Sequence, residues 1–342
     1  MTKVLVRLAV SIAIAAALVY WLAAQGFDVV PSWSAIAKNA DPLCALAYVA
    51  LFAVFHVLRA WRWDYLLRPF TAVRRGPMME TAFVGFAAIQ MMPLRTGEVA
   101  RPYLLDRYAG ISKSALFGTI AIERVIDGLL VSLWLTVALF TVPLGSGPYV
   151  LALRVIPLAV FASALALLVA FRRWPDRVGA LLGRFLGAFS KRLAQFAVGV
   201  VSRFHAGLAA LPNRRAFWAF TAQSALYWGV NAFAFWVLAH GCGLELSFSG
   251  AVAGMGVLAV GILLPSGPGY FGNFQISLLV ALEMYLGSTA AHSEAAAVFI
   301  FLLYVFQTGL TLIFGAAAAI PMLRRPVVHR TSLPPPPDGD RP

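Results

Sequence analysis

Acidic residues are scarce in this sequence. Only 14 Asp and Glu stand against 27 Lys and Arg among 342 residues, and charged residues of both signs make up 12% of the chain. Soluble globular domains carry roughly a quarter charged residues. The shortfall, joined to several long apolar runs and a hydrophobic share of 61%, places the chain among polytopic membrane proteins. Cysteine is nearly absent: Cys44 and Cys242 each stand alone in an apolar segment, so neither a CxxC redox motif nor a thiolate metal site is present. The histidines, His56, His205, His240, His292 and His329, are scattered without ligand spacing. Walker-type loops, GxSxG and Asp-x-Asp are missing, and no nucleophile stands beside a base. No catalytic residue, metal or cofactor is therefore expected.

What is present is a basic excess, +13 in formal charge. It forms no stripe on a soluble domain and does not point to nucleic acid. It lies at the ends of apolar segments, as positive-inside topology requires. Full spans are expected at 4–24, 43–60, 115–141, 150–171, 216–240 and 294–321, each close to the twenty apolar residues a crossing needs. No small-residue cleavage site follows the first run, so 4–24 reads as a retained helix.

Three apolar stretches are harder to place. Residues 79–93 are short and end in Pro93. If they dip into the membrane and return, the basic clusters at 3–7, 59–75, 95–113, 172–215 and 324–341 all share one side, leaving only Lys38 and Arg154 opposite. A full crossing would scatter those clusters, so a re-entrant hairpin from the cytoplasmic side is expected, with both termini cytoplasmic. Residues 248–264 and 273–287 flank "LLPSGPGYFG", and read either as two tilted spans or as a second hairpin entering from outside. Irregular backbone at membrane depth survives only where protein buries it or water reaches it. The two breaks share a pattern: "QMMPLRTG" and "ILLPSGPG" both place Gly four residues after Pro, Pro93 to Gly97 and Pro265 to Gly269. Paired interrupted segments point to a transport site, although a chain rich in Gly and Ala produces such likeness by chance too. The fold class expected is all-α and polytopic, with six full transmembrane helices and two broken re-entrant hairpins over residues 1–322. Within it, 174–213 alternates basic and apolar residues as an amphipathic segment on the cytoplasmic face. Residues 323–342 form a proline-rich tail that cannot build a core.

Charge inside the apolar spans is the strongest functional signal. Glu123, Arg124 and Asp127 fall roughly 12 to 18 Å along a helix beginning near Ala115, a depth at which charges face protein or water. Glu123 and Asp127 share a face, and Arg124 is placed to bridge to Asp127. The triplet carries an excess negative charge, so a further cation is expected. Arg95, Glu98 and Arg101 at the first break can supply it. Pro102 disfavours helix at Arg101 and suits the first turn of a short helix from 102 to about 109 that Gly110 ends. Such a cluster can be a fixed ion-pair network, a head-group site, or both. Around Trp61, Trp63 and Tyr65, "FHVLRAWRWDYLLRPF" reads chiefly as an interfacial anchor, with Arg59 and Arg62 at a cytoplasmic entrance.

"PLRTGEVARPYLL", then "ERVIDG", then "PSGPGYFGNFQ" resemble the signatures of the lysylphosphatidylglycerol synthase transmembrane region family, flippase-like membrane proteins. The matching positions are Pro93, Arg95, Gly97, Glu98 and Arg101; Glu123, Arg124 and Asp127; and Pro265, Pro268, Gly269 and Gly272. Gln275 and Gly269-Tyr270 stand where many members have Glu and Gly-Gly. The resemblance implies a lipid translocase of the cytoplasmic membrane without the aminoacyl-transferase domain of multidomain members. Its partners would be membrane lipids and a separate lipid-modifying enzyme. Arg95, Arg101 and Arg124 would take a phosphate, held by Glu98, Glu123 and Asp127. Pro93, Gly97, Pro265, Pro268, Gly269, Gly272 and Gln275 would form hinges or cavity wall. The alternatives are an integral-membrane enzyme on a lipid-linked substrate, with Glu123 or Asp127 as base, and a scaffold that binds partners through its basic face.

Overall fold

A computed structural model describes residues 2–24, 26–68, 70, 73–92, 97–141, 148–188, 190–191, 195, 214–264 and 267–325. It is helical throughout, with no strand among the described residues. In chain order the helices are α1 (Thr2–Ala24), α2 (Trp33–Asn39), α3 (Pro42–Trp61), α4 (Trp63–Leu67), α5 (Arg75–Met91), α6 (Ala100–Ala109), α7 (Lys113–Phe140), α8 (Pro148–Arg173), α9 (Pro175–Gly187), α10 (Arg214–Gly241), α11 (Phe248–Gly261), α12 (Asn273–Leu286), α13 (Ser288–Ala291) and α14 (Glu294–Leu323). The six long apolar runs become α1, α3, α7, α8, α10 and α14, each end within two residues of its sequence-based place.

The helix starts follow from the sequence. Asp41 caps α3 by accepting from the backbone N–H groups of Leu43 (2.7 Å) and Cys44, with Pro42 as the first helical residue. Ser112, Ser247 and Ser293 cap α7, α11 and α14 in the same way. Gly110, at φ +68°, closes α6 in the left-handed conformation. Pro102 was expected to exclude Arg101 from that helix. Instead α6 begins at Ala100 and Arg101 lies within its first turn.

α10 runs along α3, α14 along α5, and α8 along α7, while α11 packs against α7, α10 and α12. At one end Glu294 accepts from Lys38 (3.3 Å) and Asn39 (3.1 Å), tying α2 to α14. At the other, Arg325 grips Glu80 through two hydrogen bonds of 2.7 and 2.6 Å, and the Tyr108 hydroxyl donates to the Met322 carbonyl. The interior is rich in rings: Phe52, Phe55, Phe83, Phe86 and Phe314 surround His56. The outside of the same helices is apolar too, with Leu43, Leu46 and Val54 of α3 and Ile313, Ile320 and Leu323 of α14 exposed. A water-facing monomer rarely presents so much contiguous hydrocarbon.

Among the described residues, two helical stretches are long and apolar enough to cross a membrane by that measure alone, Pro42–Leu67 and Glu294–Leu323. The helix that carries Glu123, Arg124 and Asp127 is long enough, but charge interrupts it. Much of the amphipathic segment 174–213, the tail from 326 onward, and Pro93, Arg95 and Pro265 lie outside the described residues. The described part of that segment forms α9, which exposes Leu181 (70%) and Phe185 (65%) beside Arg177 and Arg184.

Candidate functional site

The charges of α7 assemble with arginines of α3 and α6 into one buried cluster. Glu123 is its centre. Arg101 approaches it with both terminal nitrogens, Nη1 to Oε1 at 2.9 Å and Nη2 to Oε2 at 3.0 Å. Arg124 Nη2 reaches Oε1 at 3.0 Å and Arg62 Nη2 at 3.2 Å. Asp127 is held by a second fork, from Arg62 at 2.6 and 2.7 Å, and also accepts from the Tyr227 hydroxyl (2.7 Å) and the Trp228 indole N–H (3.2 Å). Arg62 Nη1 donates further to Ser224 Oγ, whose hydroxyl donates in turn to the Phe220 carbonyl. Bidentate arginine–carboxylate pairs are the strong, directional class of ion pair. Rings take the place of water around them: Arg101 lies 4.1 Å over Trp63, and Arg62 lies 4.5 Å over Tyr227.

The expected bridge from Arg124 to Asp127 is therefore replaced. Arg124 pairs with Glu123, because Arg62 already occupies Asp127. The extra cation required by the triplet comes from Arg101, as expected, and from Arg62, which is fully buried rather than an interfacial anchor. Three ring or hydroxyl partners on α10, Ser224, Tyr227 and Trp228, were not foreseen. With Asn231 they follow the helical period within an apolar run, and that stripe was their signal.

Small residues make the close packing possible. A methyl group at Gly85 would overlap Arg101 Cγ, so the glycine on α5 is what lets the arginine stem lie flat and reach Glu123. Gly85→Ala should destabilise the chain by about 1–3 kcal/mol through overpacking. Thermal unfolding of the purified variant in detergent checks this, with Ala87→Gly as a comparison on the same helix. Gly97 likewise rests on the Ala88 backbone, where any Cβ would collide, so the chain folds straight back onto the end of α5.

The second break closes against the last turns of α5. Gly269 (φ +72°), Tyr270 (φ +60°) and Gly272 (φ +90°) turn the chain between α11 and α12. The Tyr270 hydroxyl donates to the Ile89 carbonyl at 3.3 Å, near the end of α5. Gln275 accepts from the Gly272 N–H at 2.8 Å and so caps α12, while Asn273 donates to the carbonyls of Gly261 and Leu264. Both amides complete broken helix ends.

Between the cluster and the second break lies a cavity of about 560 Å³, within the range of small-molecule and cofactor pockets. Arg59, Glu98, Arg124 and Asp127 form its charged end, and Gln90, Ser132, Asn231, Gln307 and Thr311 add polar points. Its remaining walls are mostly apolar, including Phe86, Phe161, Trp228, Tyr270 and Phe274. Arg101 and Glu123 stand behind this wall. At the second break Tyr270 and Phe274 line the space, whereas Pro268, Gly269, Gly272 and Gln275 do not. No group of three potential metal ligands occurs among the described residues.

Residues 5–314 match the family model described as the lysylphosphatidylglycerol synthase TM region. The chain is also similar to a protein of Haloferax volcanii named glycosyltransferase AglD, 25% identical over 314 residues, covering 82% of this chain and 49% of that relative. The chain thus spans about half the length of the curated relative it matches.

Proposed function

The chain belongs to the lysylphosphatidylglycerol synthase TM region family, and from that premise we propose that this membrane protein moves a lipid with an anionic or polar head group across the cytoplasmic membrane. One observation carries the reading: a cavity with a charged end and apolar walls lies beside the second break, which touches the last turns of α5 through Tyr270 and Ile89. A head group needs the charged end, acyl chains need the apolar walls, and broken helices are where a path through a bundle can open. In this reading six helices span the membrane fully, and the segments around the two breaks enter as hairpins from opposite sides. Both termini are cytoplasmic. Residues 1–322 act as one translocating unit. α9 lies on the cytoplasmic face with Leu181 and Phe185 in the lipid. Of the sequence-predicted site, Glu98, Arg124 and Asp127 supply the polar end, Arg101 and Glu123 brace it from behind, and Tyr270 and Phe274 at the second break supply wall.

A second reading draws on the relative named a glycosyltransferase: an integral-membrane enzyme, or the subunit of one, acting on a lipid-linked substrate. The ion pairs favour translocation. Glu123 and Asp127 are each gripped by arginine forks, which leaves neither poised to take a proton from substrate.

The test is transbilayer movement in reconstituted vesicles. Short-chain fluorescent phosphatidylglycerol, phosphatidylethanolamine and a glycolipid are each followed by external quenching. Wild type should move at least one of them faster than protein-free vesicles. Ala259→Trp, which places an indole in the cavity, should slow that movement about tenfold while the protein stays folded. Movement no faster than in protein-free vesicles for every lipid would sink the proposal. A chemically altered lipid recovered from the vesicles would favour the enzyme.

A further inference from the structure

Sequence reasoning gave the phosphate to Arg95, Arg101 and Arg124. Within the described residues, Arg101 is spent on Glu123 through both terminal nitrogens, and Arg62 is spent on Asp127. Arg124 is shared with Glu123. Arg59 is different. It lines the cavity and makes no ion pair among the described residues; its guanidinium lies over Phe86 at 4.0 Å and near Phe55 at 6.0 Å. Ring faces support a guanidinium without using its in-plane N–H donors, so those donors remain for a ligand.

One turn earlier on α3, on the same face, stands His56. It is 1% exposed, lines the same cavity, and neither ring nitrogen has a hydrogen-bond partner. Buried polar groups are normally paired. An unpaired imidazole beside a guanidinium that makes no ion pair, both in a cavity wall, offers an anion N–H donors that the protein does not use.

The charge balance agrees. Arg59, Arg62, Arg101 and Arg124 are four cations, against the three carboxylates Glu98, Glu123 and Asp127. Among the described residues the cluster keeps a single positive charge. An excess of positive charge suits a phosphodiester, which carries one negative charge.

We infer that Arg59, assisted by His56, binds a phosphodiester by donating to its oxygens, and that the ligand of the cavity carries its phosphate there with the hydrocarbon along the apolar walls. The inference rests on the reading of this cavity as a lipid site and adds its phosphate-binding residues. Arg62, Arg101, Glu123 and Asp127 then act as the fixed frame, and Arg59 and His56 as the part that meets cargo.

The test measures binding of radiolabelled dioctanoyl-phosphatidylglycerol to the full chain in non-ionic detergent, with dioctanoylglycerol as the same tails lacking phosphate. Arg59→Gln should weaken phosphatidylglycerol binding about tenfold, the loss of one charge-assisted contact, and leave dioctanoylglycerol unchanged. Arg59→Lys should recover most of the affinity. His56→Phe should weaken binding about threefold yet raise the melting temperature, because it removes two unpaired buried nitrogens. A merely structural histidine would not lower affinity while raising stability. Competition by inorganic phosphate separates the sources: displacement at the concentration at which phosphatidylglycerol itself displaces would support the anion site and assign it to free phosphate. Displacement by phosphatidylglycerol alone would support the lipid. Wild-type affinity in a folded Arg59→Gln protein, or an equal loss for both lipids, would overturn the inference. The vesicle assay keeps the two ideas apart. Lipid movement with unaltered binding in Arg59→Gln would sink the site and leave translocation standing. Arginine-dependent binding without movement in the wild type would do the reverse.

Discussion

Glu123→Gln should destabilise the chain by about 3–5 kcal/mol, the scale of removing one partner from a buried ion cluster. The reason lies in the number of cations that converge on one carboxylate. Arg101, Arg124 and Arg62 all reach Glu123 within 3.2 Å; the Arg101 fork engages both oxygens, and Arg124 and Arg62 add single contacts to Oε1. An amide of the same shape keeps one acceptor and turns a second donor towards guanidinium groups. The glutamine therefore does more than lose charge: it leaves cations uncompensated where water does not reach. Circular dichroism during heating in detergent, together with the folded yield from purification, reads the effect. Glu123→Asp, which keeps charge but shortens reach, should fall between the two. A glutamine variant that melts with the wild type would show that the arginines do not depend on this carboxylate.

The second large effect separates frame from function. Arg62→Met alone removes the fork on Asp127 and should cost about 3–5 kcal/mol, because Asp127 keeps only Tyr227 and Trp228 as donors. Adding Asp127→Leu should return much of that stability, since a buried pair replaced by apolar residues of similar volume is often neutral. If the pair serves only as a strut, the double variant recovers lipid movement along with its melting temperature. Asp127 borders the cavity, so the expected result is a stable protein with impaired movement. Full recovery of both would assign Arg62 and Asp127 to architecture alone.

The helices were legible because their signals are local. Apolar runs of spanning length, capped by Asp41, Ser112, Ser247 and Ser293, fix where α3, α7, α11 and α14 begin. The charged triplet in α7 was legible for the same reason: charge in a hydrocarbon run has few innocent explanations. Its pairing was not. Arg124 is three residues from Asp127, and sequence spacing favoured that bridge over one to Arg62, which is 65 positions away. Arg62 was masked by its neighbours as well. Beside Trp61, Trp63 and Tyr65 it reads as an interfacial anchor, and only the packing of α10 on α3 turns it inward. His56 escaped, and Arg59 read only as a residue of a cytoplasmic entrance, because their signal is negative. What marks them is the absence of partners, which requires coordinates.

α7 also has a history during synthesis. Taken alone it is a poor membrane segment, since Glu123, Arg124 and Asp127 each oppose partitioning into lipid by about 2.5–3.5 kcal/mol at mid-depth on insertion scales. In the proposed topology α3 leaves the ribosome first, so Arg62 and its bidentate geometry are already waiting when α7 arrives. Ser224, Tyr227 and Trp228 emerge about a hundred residues later on α10. The chain order thus delivers the neutralising arginine before the acidic helix and the hydrogen-bonding partners after it. A change in α3 would then be felt first as failed insertion of α7, at the translocon, before any cavity exists to be impaired.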